Sequence, residues 1–156
     1  MRTDPRSFVA DVREKLSRKS RLSEWPTESL ADDRGPLPSS VLFLLGPHCS
    51  DPGDGFRPCL ILNKRSRRVR QPGDLCCPGG GLSPRADHYW SKLLGLPGFP
   101  LGRWSHWRQW RRERPEAARA LRLLLATSLR ESFEEMRLNP LAAAFLGPLP
   151  PQRLIM

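Results

Sequence analysis

The amino-acid sequence predicts an α/β fold, because short apolar runs typical of strands occur beside longer stretches with helical periodicity. The apolar runs lie at residues 41–45 and 59–62, and the helical stretches lie at 5–18 and from 115 to about 138. The chain has 156 residues, which suits one domain with its own core. Its 17 prolines and 12 glycines predict long connecting loops.

The first predicted helix follows Asp4 and Pro5, which are residue types that favour a helix start. Its apolar residues recur at helical spacing: Phe8, Val9, Val12 and Leu16. Residues 19–39 are polar and interrupted by proline and glycine, so they predict an irregular linker. We therefore divide the chain into an N-terminal helix and linker at 1–39 and a main domain at 40–156.

The two apolar runs predict buried strands, since neither run alternates with polar residues. The loop at 46–58 between them is rich in proline and glycine, which favours a hairpin or a meander within a mixed sheet. The second predicted helix begins at Pro115 and carries an apolar stripe that Ser132 interrupts. The stripe consists of Leu121, Leu125, Leu129 and Met136.

Three glutamates, Glu131, Glu134 and Glu135, stand at positions i, i+3 and i+4 of this helix and therefore share a face. Like charges this close repel one another unless a cation, or the neighbouring Arg130, neutralises them. Carboxylate oxygens are hard ligands that suit Mg²⁺ or Mn²⁺, and magnesium sites combine a few carboxylates with waters and substrate phosphates. The hexapeptide 130–135 leaves one alternative open, an ordinary acidic turn exposed to solvent.

A glycine triplet, Gly79 to Gly81, follows a basic segment at 64–70. Glycine lets a backbone come close to a ligand, and its peptide groups can meet a metal or a phosphate. Together, Pro78-Gly79-Gly80 and Arg130-Glu131-x-x-Glu134-Glu135 resemble the two halves of the Nudix box. The resemblance implies an α/β/α sandwich with a mixed sheet, and a hydrolase that cleaves nucleoside diphosphates linked to another group.

The same resemblance implies roles for individual residues. Glu131, Glu134 and Glu135 would hold the divalent cations, and the carbonyl of Gly80 would add a ligand. Arg130 would orient a glutamate. The family's sheet continues beyond the box helix, so the resemblance also predicts that the sandwich is incomplete at the C-terminus of this chain.

The segment before the glycines resembles the part that marks the coenzyme A pyrophosphatase branch of the family. It contains Arg65-Ser66-x-x-Val69-Arg70 and then Gly73-Asp74-x-Cys76-Cys77-Pro78-Gly79-Gly80. This second resemblance implies coenzyme A or a related nucleoside diphosphate derivative as the substrate. Arg65 and Arg70 would reach the substrate phosphates, and Gly79 and Gly80 would line the substrate site.

The sequence departs from the Nudix box at four points. About fifty residues separate Gly80 from Arg130, where the box has about thirteen, so the loop and the helix must meet across an insertion of about thirty-five residues. Three further positions carry unusual residues: Arg122 replaces a glutamate, Ser132 an aliphatic residue and Arg137 a glycine. We expect Asn139, which tolerates the left-handed conformation, to compensate for the missing glycine.

The insertion, at about 82–116, is rich in tryptophan and arginine. Trp104, Trp107 and Trp110 recur every three residues, and three alternatives remain for them. They could pack the insertion onto the domain, which is the commonest fate of so large an apolar side chain. They could form an amphipathic helix that rests on a membrane interface. They could also stack on an adenine ring or on single-stranded bases as a lid over the active site.

The net charge of +10 favours anionic partners: a nucleotide-like substrate, a nucleic acid or an anionic membrane surface. No apolar run reaches the roughly 18 residues of a membrane span, and no signal-peptide core follows Met1. The four cysteines lack paired-motif spacing, so we expect reduced thiols and a cytoplasmic location.

These observations predict a Nudix-type pyrophosphohydrolase that uses divalent-metal-assisted attack of water on a phosphoanhydride bond. The alternative is a catalytically impaired Nudix-like module that keeps the fold and binds anionic ligands, RNA or a membrane surface.

Overall fold

Four helices, six short strands and one 3₁₀ turn make up the part of the chain that the computed structural model describes, residues 4–20, 38–47, 57–65, 73–150 and 152. The helices are α1 (Pro5–Ser20), α2 (Pro84–Leu94), α3 (Trp107–Glu113) and α4 (Pro115–Met136). The strands are β1 (Ser39–Val41), β2 (Leu44–Pro47), β3 (Pro58–Ile61), β4 (Asn63–Lys64), β5 (Leu75–Cys76) and β6 (Gly79–Gly81). The 3₁₀ turn covers Pro140–Ala142. This combination confirms the predicted α/β class.

Both predicted helices are present as α1 and α4. Helix α1 starts where the sequence predicts, because a carboxylate oxygen of Asp4 accepts a hydrogen bond from the backbone N–H of Ser7 at 3.0 Å. None of the helices in the described ranges has the length and apolar character needed to cross a membrane. Most of the predicted linker, residues 21–37, lies outside the described residues.

The six strands form three separate two-stranded antiparallel sheets. Strand β1 pairs with β6, β2 with β3, and β4 with β5. The β2–β3 pair matches the hairpin alternative for the two apolar runs. Every strand pair within the described ranges is antiparallel, so the mixed sheet of a sandwich remains a prediction.

The apolar runs are extended as predicted, but the prediction that they are buried is wrong. Val41, Phe43 and Leu60 are 50%, 56% and 45% exposed. A strand is buried on both faces only when other layers cover the sheet. Helices α2 and α3 pack against α4 instead, so the core forms away from the β2–β3 pair.

The core lies between α4 and the insertion. Leu121, Leu125 and Leu129 of α4 are buried, which confirms their place in the predicted stripe. Ser132 is also fully buried, and its hydroxyl donates to the carbonyl of Ser128 at 2.6 Å, so the polar interruption is satisfied inside the helix.

The tryptophans of the insertion pack into this core. Trp104, Trp107 and Trp110 are only 6%, 4% and 8% exposed, and they cluster with Leu94 and Leu101. Trp104 and Trp110 meet edge to face, with ring centroids 5.6 Å apart. Of the three alternatives for these side chains, the structure therefore shows the packing one. Cys59, Cys76 and Cys77 are free thiols in the structure, and Cys49 lies outside the described residues.

Helix α4 ends at a residue that lies in the left-handed region. Arg137 has φ 58° and ψ 30°, and its backbone N–H donates to the carbonyl of Phe133 at 3.0 Å. Asn139 was expected to take this conformation, and that expectation is wrong, since its φ is −74°. The helix ends at Met136, so the left-handed conformation falls on the next residue, Arg137. The Asn139 side chain instead accepts a hydrogen bond from the backbone N–H of Leu141 at 3.0 Å.

We expect Arg137→Gly to raise the free energy of unfolding by about 0.5–1 kcal/mol. Glycine removes the strain of a left-handed L-residue, and the greater entropy of the unfolded glycine chain offsets part of that gain. Urea unfolding measures the difference. Arg137→Ala is the matched control, because alanine also loses the contact of the guanidinium with the Phe133 ring but keeps the strain. Equal stability of the two variants would contradict this explanation.

Candidate functional site

The guanidinium of Arg130 connects α4 to α2 and to the glycine strand β6. Its Nε donates to Asp87 Oδ1 at 2.7 Å, and its Nη2 lies 2.9 Å from Glu131 Oε1. Nη1 lies 3.3 Å from Glu134 Oε2, and Nη2 donates to the carbonyl of Gly81 at 3.4 Å. The Arg130 side chain is only 12% exposed. One largely buried cation thus contacts two of the three predicted metal ligands, Glu131 and Glu134.

Asp87 was not among the predicted site residues. It is fully buried on α2, where its Oδ2 accepts from the backbone N–H of Ser83 at 2.7 Å and from the Thr127 hydroxyl at 2.8 Å. Ser83 and Pro84, followed by an acidic residue in the first turn, form a helix-start signal that the sequence does carry. That signal predicts the local cap but not a partner 43 residues away on α4.

The ion pair changes the titration of both partners. Burial raises the pKa of Asp87, but the hydrogen bonds from Arg130, Ser83 and Thr127 and the charge of Arg130 outweigh burial, so this pKa lies below its usual value. The hydrogen bond from Arg130 to Asp87 raises the pKa of Arg130 above its usual value despite partial burial, with help from Glu134 and Glu131. Both groups are therefore charged at neutral pH.

Asp87 places a carboxylate beside Arg130, whereas the Nudix box has its additional carboxylate on the same helix as the arginine. The box has a glutamate eight residues before the arginine, where this chain has Arg122. Helix α2 packs along α4 and brings Asp87 to Arg130 from within the segment 82–116. Arg122 takes no part in this cluster, and its Nε is buried without a hydrogen-bond partner among the described residues.

The glycine strand lies against the first glutamate of the helix. A Cβ added to Gly80 would lie 2.6 Å from Cδ of Glu131 and 2.9 Å from both carboxylate oxygens. A Cβ on Gly79 would lie 2.1 Å from the carbonyl oxygen of Ser40, and the φ of Gly79 is 149°. Only glycine fits at Gly79, where the obstacle is backbone and φ is positive, whereas at Gly80 a side chain would displace the Glu131 carboxylate. The loop and the helix therefore meet across the insertion, as the resemblance requires.

Glu135 has a different partner. Its Oε2 accepts a hydrogen bond from Nδ2 of Asn63 at 3.0 Å. Asn63 belongs to β4 and lies opposite Cys76 of β5, so this contact ties the β4–β5 pair to the acidic end of α4. Asn63 was not among the predicted site residues, because an asparagine after an apolar run carries no signal of its distant partner.

Arg65, one of the two predicted phosphate-binding arginines, directly follows strand β4. The Arg65 backbone N–H donates to the carbonyl of Asp74 at 2.9 Å, and its carbonyl accepts from Gly73 at 3.2 Å, which extends the ladder by one residue. Arg65 thus follows Asn63 by two positions on an ordered segment. Arg70 lies outside the described residues.

The donor set of this cluster suits a hard divalent cation. Asp87, Glu131, Glu134 and Glu135 carry four negative charges against one positive charge on Arg130, which leaves an excess of negative charge. All their donor atoms are oxygens, and the backbone of Gly80 lies beside Glu131. The three glutamates do not converge on one point: no group of three acidic, histidine or cysteine side chains within the described residues is arranged to hold a metal.

We expect Asp87→Ala to lower the free energy of unfolding by about 3–5 kcal/mol, because it leaves the buried Arg130 guanidinium without its closest partner. Thr127→Val removes only one neutral donor and should cost about 1 kcal/mol. The control is Asp11→Ala on α1, whose exposed ion pair with Lys15 contributes less than about 1 kcal/mol. Denaturant unfolding of the three variants checks this order, and a loss in Asp87→Ala no larger than in Asp11→Ala would exclude a structural role for the pair.

The lowered pKa of Asp87 also predicts a dependence on pH. Its stabilising contribution is fully present above the unfolded-state pKa of about 3.9 and is lost as the pH falls towards the lower folded-state pKa. Unfolding free energies measured between about pH 6 and pH 2 should therefore fall more steeply in the wild type than in Asp87→Asn. Parallel curves would show that Asp87 is not linked to folding.

No family model, curated protein or solved structure matches this chain. The function of this cluster must therefore be inferred from its own side chains. These comprise a buried ion pair, a glycine strand against a glutamate, and exposed carboxylates on one side of a helix.

Proposed function

We propose that the protein is a Nudix-type hydrolase that cleaves a phosphoanhydride bond of a nucleoside diphosphate derivative, with coenzyme A as the leading substrate and Mg²⁺ or Mn²⁺ as the cofactor. The main support for this proposal is that Gly80 lies close to the Glu131 carboxylate. The two halves of the Nudix box are about fifty residues apart in the sequence, yet they adjoin in the fold. The proposal implies the α/β/α sandwich of that family and fits a cytoplasmic location.

Glu131, Glu134, Glu135 and the carbonyl of Gly80 would hold the cation. When bound, such an ion polarises phosphate oxygens and lowers the pKa of a coordinated water. Asp87 fixes the guanidinium of Arg130, and Arg130 in turn fixes the carboxylates of Glu131 and Glu134. This arrangement supports the expectation that the arginine orients a glutamate.

The Asn63 amide restrains Glu135 through Oε2, so Oε1 is the oxygen left for the cation or for the proton of the attacking water. Arg65, which follows Asn63, and Arg70 would bind the phosphates of the substrate, and the backbones of Gly79 and Gly80 would lie beside them. The net charge of +10 favours the approach of an anionic substrate.

One observation favours the second candidate, a catalytically impaired Nudix-like module that binds anionic ligands. Glu131 and Glu134 contact Arg130, whereas Glu135 contacts Asn63, so each carboxylate already has a partner. A cation would have to compete with the guanidinium for two of its ligands. Metal binding measured directly separates the two candidates.

We expect the wild type to hydrolyse at least one member of a panel of coenzyme A, ADP-ribose and dinucleotides with Mg²⁺ or Mn²⁺. Glu134→Gln should lower this rate at least about tenfold, because the amide is a poorer cation ligand. Glu116→Gln is the matched control, since Glu116 lies on the first turn of the same helix and, within the described part of the chain, pairs with the exposed Arg119. Equal background rates for wild type and Glu134→Gln would favour the impaired module.

We expect Asn63→Ala to weaken Mn²⁺ binding about tenfold, because partners that orient a ligand typically contribute 10–100-fold to metal affinity. Electron paramagnetic resonance of free Mn²⁺ measures the affinity without any need for turnover. Gln109→Ala, an exposed amide on α3, is the control. Unchanged affinity in Asn63→Ala would show that Glu135 needs no orientation by Asn63.

A further inference from the structure

The insertion presents an arginine face on α3 that the proposed hydrolase does not use. Trp107 and Trp110 point into the core, whereas Arg108, Arg111 and Arg112 are exposed. Residues one turn apart share a helix face, so the three guanidinium groups lie side by side. We name Arg108, Arg111 and Arg112 the arginine face of α3.

The arginine face carries uncompensated positive charge. Six arginines and two glutamates lie between Arg103 and Arg119. Arg112 lies 3.4 Å from Glu113, but its side chain is 81% exposed. Among the described residues, no carboxylate pairs with Arg108 or Arg111. The face is therefore available to an anionic partner.

The arginine face is also held rigidly. The tryptophans beneath it are buried against α4, and Arg103 anchors the preceding turn to the carbonyls of Leu141 and Ala143 at 3.0 and 2.8 Å. Within α4, Glu131 lies 16 residues after Pro115, the first residue beyond the α3 segment, which corresponds to about 24 Å along the helix axis. The arginine face is thus separate from the candidate metal ligands.

We propose that the arginine face of α3 binds the phosphate backbone of a nucleic-acid duplex without sequence preference. Arginine is the side chain best suited to bidentate phosphate contacts. The burial of Trp104, Trp107 and Trp110 leaves no indole of this cluster to enter a bilayer or to stack on unpaired bases. Contacts to phosphates require neither insertion into a bilayer nor stacking on bases. Such contacts supply essentially all of the affinity of non-specific duplex binding.

The test measures binding of the full chain to a labelled duplex of mixed sequence by fluorescence anisotropy, at about 50 to 200 mM salt. The combined variant Arg108→Gln, Arg111→Gln and Arg112→Gln should bind more weakly. The slope of log Kobs against log salt should become shallower by about 2–3, because each lost phosphate contact contributes about 0.9. Near-ultraviolet circular dichroism of the buried tryptophans checks that the variant is folded.

A charge-matched control replaces three exposed arginines of α1, Arg6→Gln, Arg13→Gln and Arg18→Gln. It should keep the wild-type slope. Equal losses in both variants would show that net charge alone drives binding, and absence of duplex binding at the lowest salt would also overturn the proposal. Preference for a single-stranded oligonucleotide, or binding of anionic phospholipid vesicles without duplex binding, would assign the surface to base stacking or to a membrane instead.

Discussion

The arrangement of this molecule depends on the buried ion pair between Asp87 and Arg130. The pair joins α2 to α4, and through Arg130 it reaches two glutamates and the glycine strand. Replacement of a buried pair by apolar groups is often neutral for stability, whereas removal of one partner is costly. Its specific effect here is therefore orientation: with Asp87 at its Nε, the guanidinium directs Nη1 and Nη2 towards Glu134, Glu131 and the carbonyl of Gly81.

The insertion contributes to this arrangement from two sides. Its first helix supplies Asp87, and its second helix supplies Trp107 and Trp110, which pack into one core cluster with the apolar residues of α4. Helix α4 can therefore be apolar where the tryptophans pack and acidic where the glycine strand approaches. The burial of the indoles also leaves the outer surface of α3 to arginine, so the structural role of the tryptophans determines the chemistry of that surface.

The parts of the fold that depend on local signals could be predicted from the sequence. Helix α4 and its leucine stripe follow from periodicity, and Asp4 and Pro5 mark the start of α1. Asn63 and Asp87 could not be assigned to the candidate site, because their partners lie 72 and 43 residues away. The apolar runs predicted strands correctly but not their exposure, which depends on what covers them. Arg137 adopts its conformation because the helix ends one residue earlier.

The contact between Gly80 and Glu131 has a consequence for how the chain can fold. Closing a loop of about fifty residues rather than about thirteen costs only about 1 kcal/mol more in chain entropy, because the cost grows with the logarithm of loop length. Burial of one tryptophan, at 150–250 Å² and about 25 cal/mol/Å², contributes about 4–6 kcal/mol before the cost of ordering the chain. An insertion between the two halves of such a site is therefore tolerated when it buries enough apolar surface against the rest of the chain. This segment meets that condition with three buried indoles.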